Sequence, residues 1–368
     1  MTTGHDHPLN NEVIQRIDSL LQPLTIWTVL GAIANTHAPS QTVAYTRARA
    51  IDQLLAGWGQ ENYEFDLNFA QTGSALLRLS QQAPDILFVA HADEFSYLVG
   101  PSNRDGSWSL IPFCSDQATI DYAAVALRYE PAAQQLATVA QGTIKRYVID
   151  KTPHFYPSSG QVQPGDRLVY DHQLQRRGDL TRGSLDNSAG VAACLLAARI
   201  LTQVAPNTPV AFAFTDEEEG PPVFNTAFGR GSRRLARQLT PPKLCVVVDG
   251  HDVSRRYHRG VGAVFAEKAS EAKGAVVPPR LYTAFKALAE QMVSHGVKIM
   301  ENPGYVSRSD DVSWMEITPN ILLLGYLLSN PHFNRAVPSA SLSDISHLAK
   351  AIVWTALVFD GTLGIFRG

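Results

Sequence analysis

Apolar runs bounded by turn signals recur along the chain and set its expected architecture. Ile86-Leu87-Phe88-Val89-Ala90 follows Pro84-Asp85, and similar runs cover 209–214, 244–248 and 321–328. Runs of this length, flanked by breakers, predict strands buried on both faces of a sheet. A shorter strand is expected over 74–79. Helical periodicity appears over about 11–58, as two stretches broken around Thr36 to Gln41. The second stretch, 43–58, places Ala44, Ala48, Ile51, Leu54 and Leu55 on one face. Further helices are predicted over about 189–201, 281–295 and 342–359. Between residues 101 and 174 the rhythm changes to short alternating segments separated by Asn103-Arg104-Asp105-Gly106, Ser158-Ser159-Gly160 and Pro164-Gly165-Asp166. The expectation is an α/β fold, a central mixed β-sheet flanked by helices, with a small inserted β-barrel or sandwich. The domain reading is 1–100 with 176–368 as one unit and 101–175 as the insert. No internal repeat or low-complexity tract interrupts it.

Composition adds little that is unusual. Of 368 residues, 45% are hydrophobic and 18% charged, as in ordinary globular proteins. The net charge of −3, with acids and bases interspersed, argues against nucleic acid or an anionic membrane as partner. The longest apolar run near the end, 321–328, is too short to span a bilayer. The stretch Met1-Thr2-Thr3-Gly4-His5-Asp6-His7 has no apolar segment of the kind that secretory signals carry. His5 and His7 read as a frayed tail. Cys114, Cys194 and Cys245 have no paired spacing, so reduced thiols in a cytoplasmic protein are expected.

The polar residues carry more information. The strand at 86–90 runs into His91 and Asp93, that at 209–214 into Asp216-Glu217-Glu218-Glu219, and that at 244–248 into Asp249. The strand at 321–328 is followed by Asn330-Pro331-His332. In open α/β sheets, sites form beyond the carboxyl ends of strands. A small-residue turn, Gly183-Ser184-Leu185-Asp186-Asn187-Ser188-Ala189-Gly190, delivers one more carboxylate to a helix start. There Asp186 serves either as an N-cap or as a carboxylate shared by two metal ions, with Ser188 able to cap the first turn. Imidazole and carboxylate donors suit zinc, and two metals held close need a bridging carboxylate. The two-residue spacing of His91 and Asp93 puts both on one face of a strand, so Asp93 can orient the imidazole. Within Glu217-Glu218, one glutamate can ligate while its neighbour acts as general base.

In their order, these segments resemble the dinuclear zinc aminopeptidases of the glutamyl/deblocking type, which assemble into tetrahedral twelve-subunit shells. His91-Ala92-Asp93-Glu94 is similar to that family's His-x-Asp-Glu strand end. Lys151-Thr152-Pro153-His154 and Val162-Gln163-Pro164-Gly165-Asp166 resemble segments of its inserted barrel. Leu185-Asp186-Asn187 resembles its bridging loop, Glu217-Glu218 with Gly220 its Glu-Glu-x-Gly, Val248-Asp249 its metal-binding strand end, and Ser309-Asp310 its Thr-Asp pair near the substrate. The resemblance implies that His91, Asp186 and Asp249 are metal ligands, with Asp186 the bridge and a cis peptide after it. Glu218 would complete the metal shell and Glu217 would be the base. His332 is the candidate final ligand, although Asn330-Pro331-His332-Phe333 departs from the family's His-Ser-Pro pattern. The triple glutamate leaves a one-residue ambiguity over which acid does what. His251 is expected on the surface, with a contact near the metals or the substrate as the alternative.

The implied function is a cytoplasmic metalloaminopeptidase that cuts the N-terminal residue from short peptides, using two divalent cations. Zinc is the first choice, with cobalt or manganese also accepted, and a homo-oligomer, up to a dodecamer, is implied. Two alternatives stand beside it. One is a related N-acyl amino acid deacylase or carboxypeptidase, with an Arg such as Arg308 meeting the substrate carboxylate. The other is a metal-poor homologue that binds or assembles without catalysis.

Overall fold

A computed structural model describes residues 11–59, 62–116, 118–146, 152–220, 229–253 and 258–359. Lys151, Pro221, Pro222, His5 and His7 therefore lie outside the described residues. The described chain begins with three helices, α1 (Asn11–Leu20), α2 (Pro23–Ala34) and α3 (Arg47–Ala56). It continues through β1 (Glu64–Asp66), β2 (Ala75–Arg78) and β3 (Ile86–His91). Six strands follow: β4 (Tyr97–Ser102), β5 (Trp108–Pro112), β6 (Tyr122–Glu130), β7 (Gln135–Arg146), β8 (Pro153–Gly160) and β9 (Arg167–Tyr170). The hairpin β10 (Gln175–Arg177) and β11 (Leu180–Arg182) leads into α4 (Ser188–Val204). Then come β12 (Val210–Thr215), α5 (Arg230–Ala236), β13 (Leu244–Asp252) and β14 (Ala263–Ala266). The described chain closes with α6 (Pro279–Ser294), β15 (Ile299–Glu301), α7 (Asp311–Trp314), β16 (Ile321–Leu328), β17 (Ser339–Ser341) and α8 (Leu342–Val358).

Eight strands form one mixed sheet in the order β1-β2-β12-β3-β13-β16-β14-β15. The middle four, β12, β3, β13 and β16, are mutually parallel. Every residue of β3, β12 and β16 is buried, which is why these segments read as unbroken apolar runs rather than alternating ones. Helices α2, α4 and α8 pack on one another, with α4 and α8 against the sheet; α5 and α7 pack together against β12 and β16. Helix α4 is buried along almost its whole length. Its Asn187 is the N-cap, accepting from Gly190 N at 3.2 Å, so the cap is neither Asp186 nor Ser188.

The expected β insert is a closed antiparallel barrel, in the order β4-β5-β8-β7-β6-β9. Its own core contains Phe95, Tyr97, Phe155, Leu168, Tyr170 and Phe333. A small sheet, β10-β11-β17, ties the exit of the barrel to the start of α8.

The N-terminal region differs from expectation. A break at Leu21-Gln22 divides the first helical stretch, because Gln22 is extended and Pro23 starts a new helix, where its missing N–H costs nothing. The stretch expected as a helix over 43–58 opens with a 3₁₀ turn, and α3 begins at Arg47. Among the described residues no single helix is long and apolar enough to cross a membrane; the bent pair α1–α2 passes that test by length and composition only.

Candidate metal centre

The parallel strands β3, β12, β13 and β16 deliver their carboxyl-terminal residues to one edge of the sheet, and the loop before α4 arrives there too. The two oxygens of Asp186 face different imidazoles. Oδ1 lies 3.5 Å from His91 Nε2, and Oδ2 lies 3.7 Å from His332 Nε2. On the His91 side, Asp249 Oδ1 stands 3.6 Å and Glu218 Oε2 3.9 Å from the same Nε2. On the other side, Glu219 Oε1 is 3.0 Å from His332 Nε2. The peptide between Asp186 and Asn187 is cis. Asn187 anchors the turn by donating to the carbonyl of Val248 at 2.8 Å.

Asp93 organises this edge. Fully buried, it stands 3.6 Å from His91 Nδ1, which leaves Nε2 facing the cluster. Its carboxylate accepts the hydroxyl of Ser40 at 2.6 Å and the backbone N–H groups of Glu218 and Glu219 at 3.2 and 3.0 Å. Glu94, next along, is paired with the wholly buried Arg47 at 3.3 Å. Burial opposes ionisation of Glu94, but Arg47, with His37 and Ser184, holds it down at about 2. Arg47 also donates to the carbonyls of Thr36, Ala92 and Asp93, so α3 grips the end of β3.

The glutamate run divides in an informative way. Glu217 is in the left-handed region, at φ 57°, which turns its side chain away. Its carboxylate is taken by Arg234 at 2.7 Å and Arg230 at 3.0 Å. It is therefore not brought to His91 and Asp186, where the sequence expectation put it. Glu218 and Glu219 are brought there. Glu219, which the sequence expectation assigned no role, is 1% exposed, and neither of its carboxylate oxygens has a hydrogen bond. The triple glutamate was the only sequence signal for it. Just ahead of the run, Asp216 is spent on the backbone, accepting from Gln41 N and Val43 N at 2.7 and 3.1 Å.

His332 sits in a loop where Asn330, His332 and Phe333 all have positive φ. The barrel side steadies its ring. Phe95 stacks on it at 5.4 Å, and Nδ1 faces the carbonyl of Ser115 at 3.4 Å. His251 is not on the surface. It is 1% exposed, stacks on Tyr305 at 3.8 Å and contacts Asn302, and burial lowers it to about 3, so it is neutral. Asp310 is buried beneath the cluster and accepts from Thr215, and burial raises it to about 7.

Electrostatics follow from the crowding. Burial, reinforced by Glu219, Asp249 and Asp310, pushes Glu218 well above the carboxylate range, against the pull of His91. Burial works against protonation of the imidazoles, yet the acids outweigh it: His91 is raised well above its ordinary value and His332 to about 10. Four carboxylates outnumber two imidazoles, so even with both imidazoles protonated the cluster is short of positive charge. Desolvated carboxylates are costly unless paired or metal-bound. Ligand atoms of His91, Asp186 and Asp249 lie within 4.8 Å of one another, as do those of His91, Glu218 and Glu219, and those of Cys114, Glu219 and His332. These residues thus fit divalent cations by donor type and by spacing. They line a cavity of about 320 Å³ whose other walls include Asp252, Ser307 and Arg308.

Comparison with known proteins agrees with this architecture. The fold is similar to the TET1 peptidase of Pyrococcus horikoshii, described as assembling into a tetrahedron or a large octahedral shell. The two are 17% identical with a TM-score of 0.69, over 90% of this chain and 99% of that one. A TET aminopeptidase from a marine-sediment Thaumarchaeota archaeon is 13% identical at a TM-score of 0.72, over 89% and 95% of the two chains. An aminopeptidase from Desulfurococcus kamchatkensis is 14% identical at 0.69, over 90% and 94%. No curated protein sequence matches the chain. The model of the peptidase family M20/M25/M40 matches residues 162–357, more than half of the length and the part that carries Asp186, Glu218, Glu219, Asp249 and His332, and the chain belongs to that family.

Proposed function

We propose that this peptidase is a metal-dependent aminopeptidase that removes the N-terminal residue from short peptides and works with two divalent cations. One observation supports this reading above the others: Asp186 offers a separate oxygen to each of two imidazoles, and each imidazole has an acid of its own beside it. In this reading His91 and Asp249 hold one cation, Glu219 and His332 hold the other, and Asp186 is shared. Mixed imidazole and carboxylate donors favour zinc and also accept cobalt or manganese. When bound, the cations supply a polarised scissile carbonyl and a more acidic attacking water.

Glu218 is the proposed general base, and Glu219 the ligand, one residue further along the run than the sequence suggested. Glu218 has a carboxylate in the cavity and a raised affinity for protons. It takes the proton of the attacking water and passes it to the leaving amine. Asp93 touches neither water nor substrate; it positions His91 and the two glutamates. Likeness to shell-forming peptidases supports a homo-oligomer, as large as a dodecamer.

A panel of aminoacyl anilides, joined to metal analysis of protein purified without chelator, tests the proposal. Two ions per chain with no anilide hydrolysis would refute the aminopeptidase assignment. Protein that binds no ions would favour the metal-poor homologue. A second reading, an N-acyl amino acid deacylase or carboxypeptidase, is supported by Arg308 in the cavity wall. It predicts turnover of N-acyl amino acids that is lost on Arg308→Ala.

A further inference from the structure

The cavity contains a thiol that the proposed chemistry does not use. Cys114 follows β5 on the barrel side, and its Sγ lies within 4.8 Å of both a Glu219 carboxylate oxygen and a His332 ring nitrogen. The other two cysteines, Cys194 in α4 and Cys245 in β13, are buried in the apolar core and belong to no such group of candidate ligands among the described residues. A cysteine near a site is in general just a small buried residue. The second observation that points to a ligand is Glu219. Its side chain is buried and lines the cavity, and both of its oxygens lack a hydrogen bond; the 3.0 Å approach of His332 is not aligned as one. A buried carboxylate whose oxygens make no hydrogen bond, set between an imidazole and a thiol, is an incomplete polar group unless a cation completes it.

We infer that Cys114 is a ligand of the cation held by Glu219 and His332, so that one of the two sites bears a thiolate. This rests on the two-cation reading above. On coordination the thiol proton passes to solvent and the sulfur lone pair is donated to the cation; nothing is oxidised or reduced. The expected consequence is chemical asymmetry. The His91–Asp249 site has nitrogen and oxygen donors only, whereas the Cys114 site mixes in a soft donor that favours zinc, cadmium or cobalt over manganese and magnesium.

Cobalt(II) titration of the metal-stripped full-length chain tests this. Two equivalents should bind, one of them producing a near-ultraviolet sulfur-to-cobalt charge-transfer band. Cys114→Ser should abolish the band and weaken that one equivalent about 10–100-fold, while the other equivalent is retained. A second measurement avoids any variant: with Cys194 and Cys245 buried, a thiol reagent should label Cys114 in the stripped protein and be blocked by cobalt. Two bound equivalents with neither band nor protection would overturn the thiolate assignment and leave the two-cation reading standing. No cobalt uptake at all would overturn both.

Discussion

Asp93 and Glu219 are 126 positions apart in the chain, yet Asp93 Oδ2 accepts the backbone N–H of Glu219 at 3.0 Å. The other oxygen accepts from Glu218. The end of β3 thus sets the position of the loop after β12 through main-chain atoms, whatever side chains the loop carries. Positioning through the backbone means that a carboxylate outside the Asp186 cluster governs the aim of two carboxylates inside it.

Asp93→Asn is therefore expected to lower cation affinity or turnover about 10–100-fold, the usual effect of losing a group that orients a metal ligand. Calorimetric metal titration with far-UV circular dichroism checks this, because the loss should come without unfolding. Wild-type affinity in the variant would show that the loop is held by other means.

The two adjacent glutamates should separate cleanly. Glu218→Gln is expected to keep two cations and lose about 10²–10⁴-fold in kcat, the range for a removed general base. Glu217→Gln breaks the contacts with Arg230 and Arg234 and should cost about 1–3 kcal/mol of stability with little change in kcat. Denaturant unfolding and steady-state kinetics on both variants give the comparison. A collapse of kcat in Glu217→Gln alone would reverse the assignment.

Acid should weaken the fold through Glu94. Arg47 and its neighbours hold that carboxyl at about 2 in the folded chain, below its ordinary 4.5. A depressed acid contributes stability above its unfolded pKa and loses it as pH falls through the folded one. The window is thus about pH 4.5 down to 2, and the size about 3 kcal/mol. Glu94→Gln should flatten that part of the stability profile while costing about 3–5 kcal/mol near neutrality, since Arg47 stays buried without its partner charge. Urea midpoints across the pH range measure both.

Chelation should destabilise as well as inactivate. Stripping cations leaves Asp186, Glu218, Glu219 and Asp249 crowded around two imidazoles. Returning zinc should raise Tm in proportion to the logarithm of its concentration, reaching about 4 kcal/mol at a thousandfold excess over Kd. A Tm indifferent to zinc would contradict the site.

Much of the architecture could be read directly from residues. The four central strands carry unbroken apolar runs because both faces are covered, and each run gives way where His91, the glutamates, Asp249 or the His332 loop emerges. The short strands β1, β14 and β15 had no such signature, since strands of three or four residues leave little pattern. The glutamate register was not legible, because it depends on a positive φ at Glu217 and on Asp93 reaching across from another strand. His251 was misplaced for a similar reason. The charge of Asp249-Gly250-His251 suggests an exit to water, whereas β13 continues to Asp252 and tucks the ring against Tyr305. Cys114 gave no sign, since its neighbours at the site come from the loops after β12 and β16.

The donors lie on both sides of the barrel in the chain order, and His332 is the last of them to be synthesised. A nascent chain emerging from the ribosome therefore carries His91 long before Asp186, Asp249 and His332 exist, whereas Asp93 and Glu94 already have Ser40 and Arg47 ahead of them in the chain. In the proposed two-cation reading, the site that needs His332 can be completed only in the final stage of synthesis, and a product truncated before it would have acids gathered around one imidazole alone.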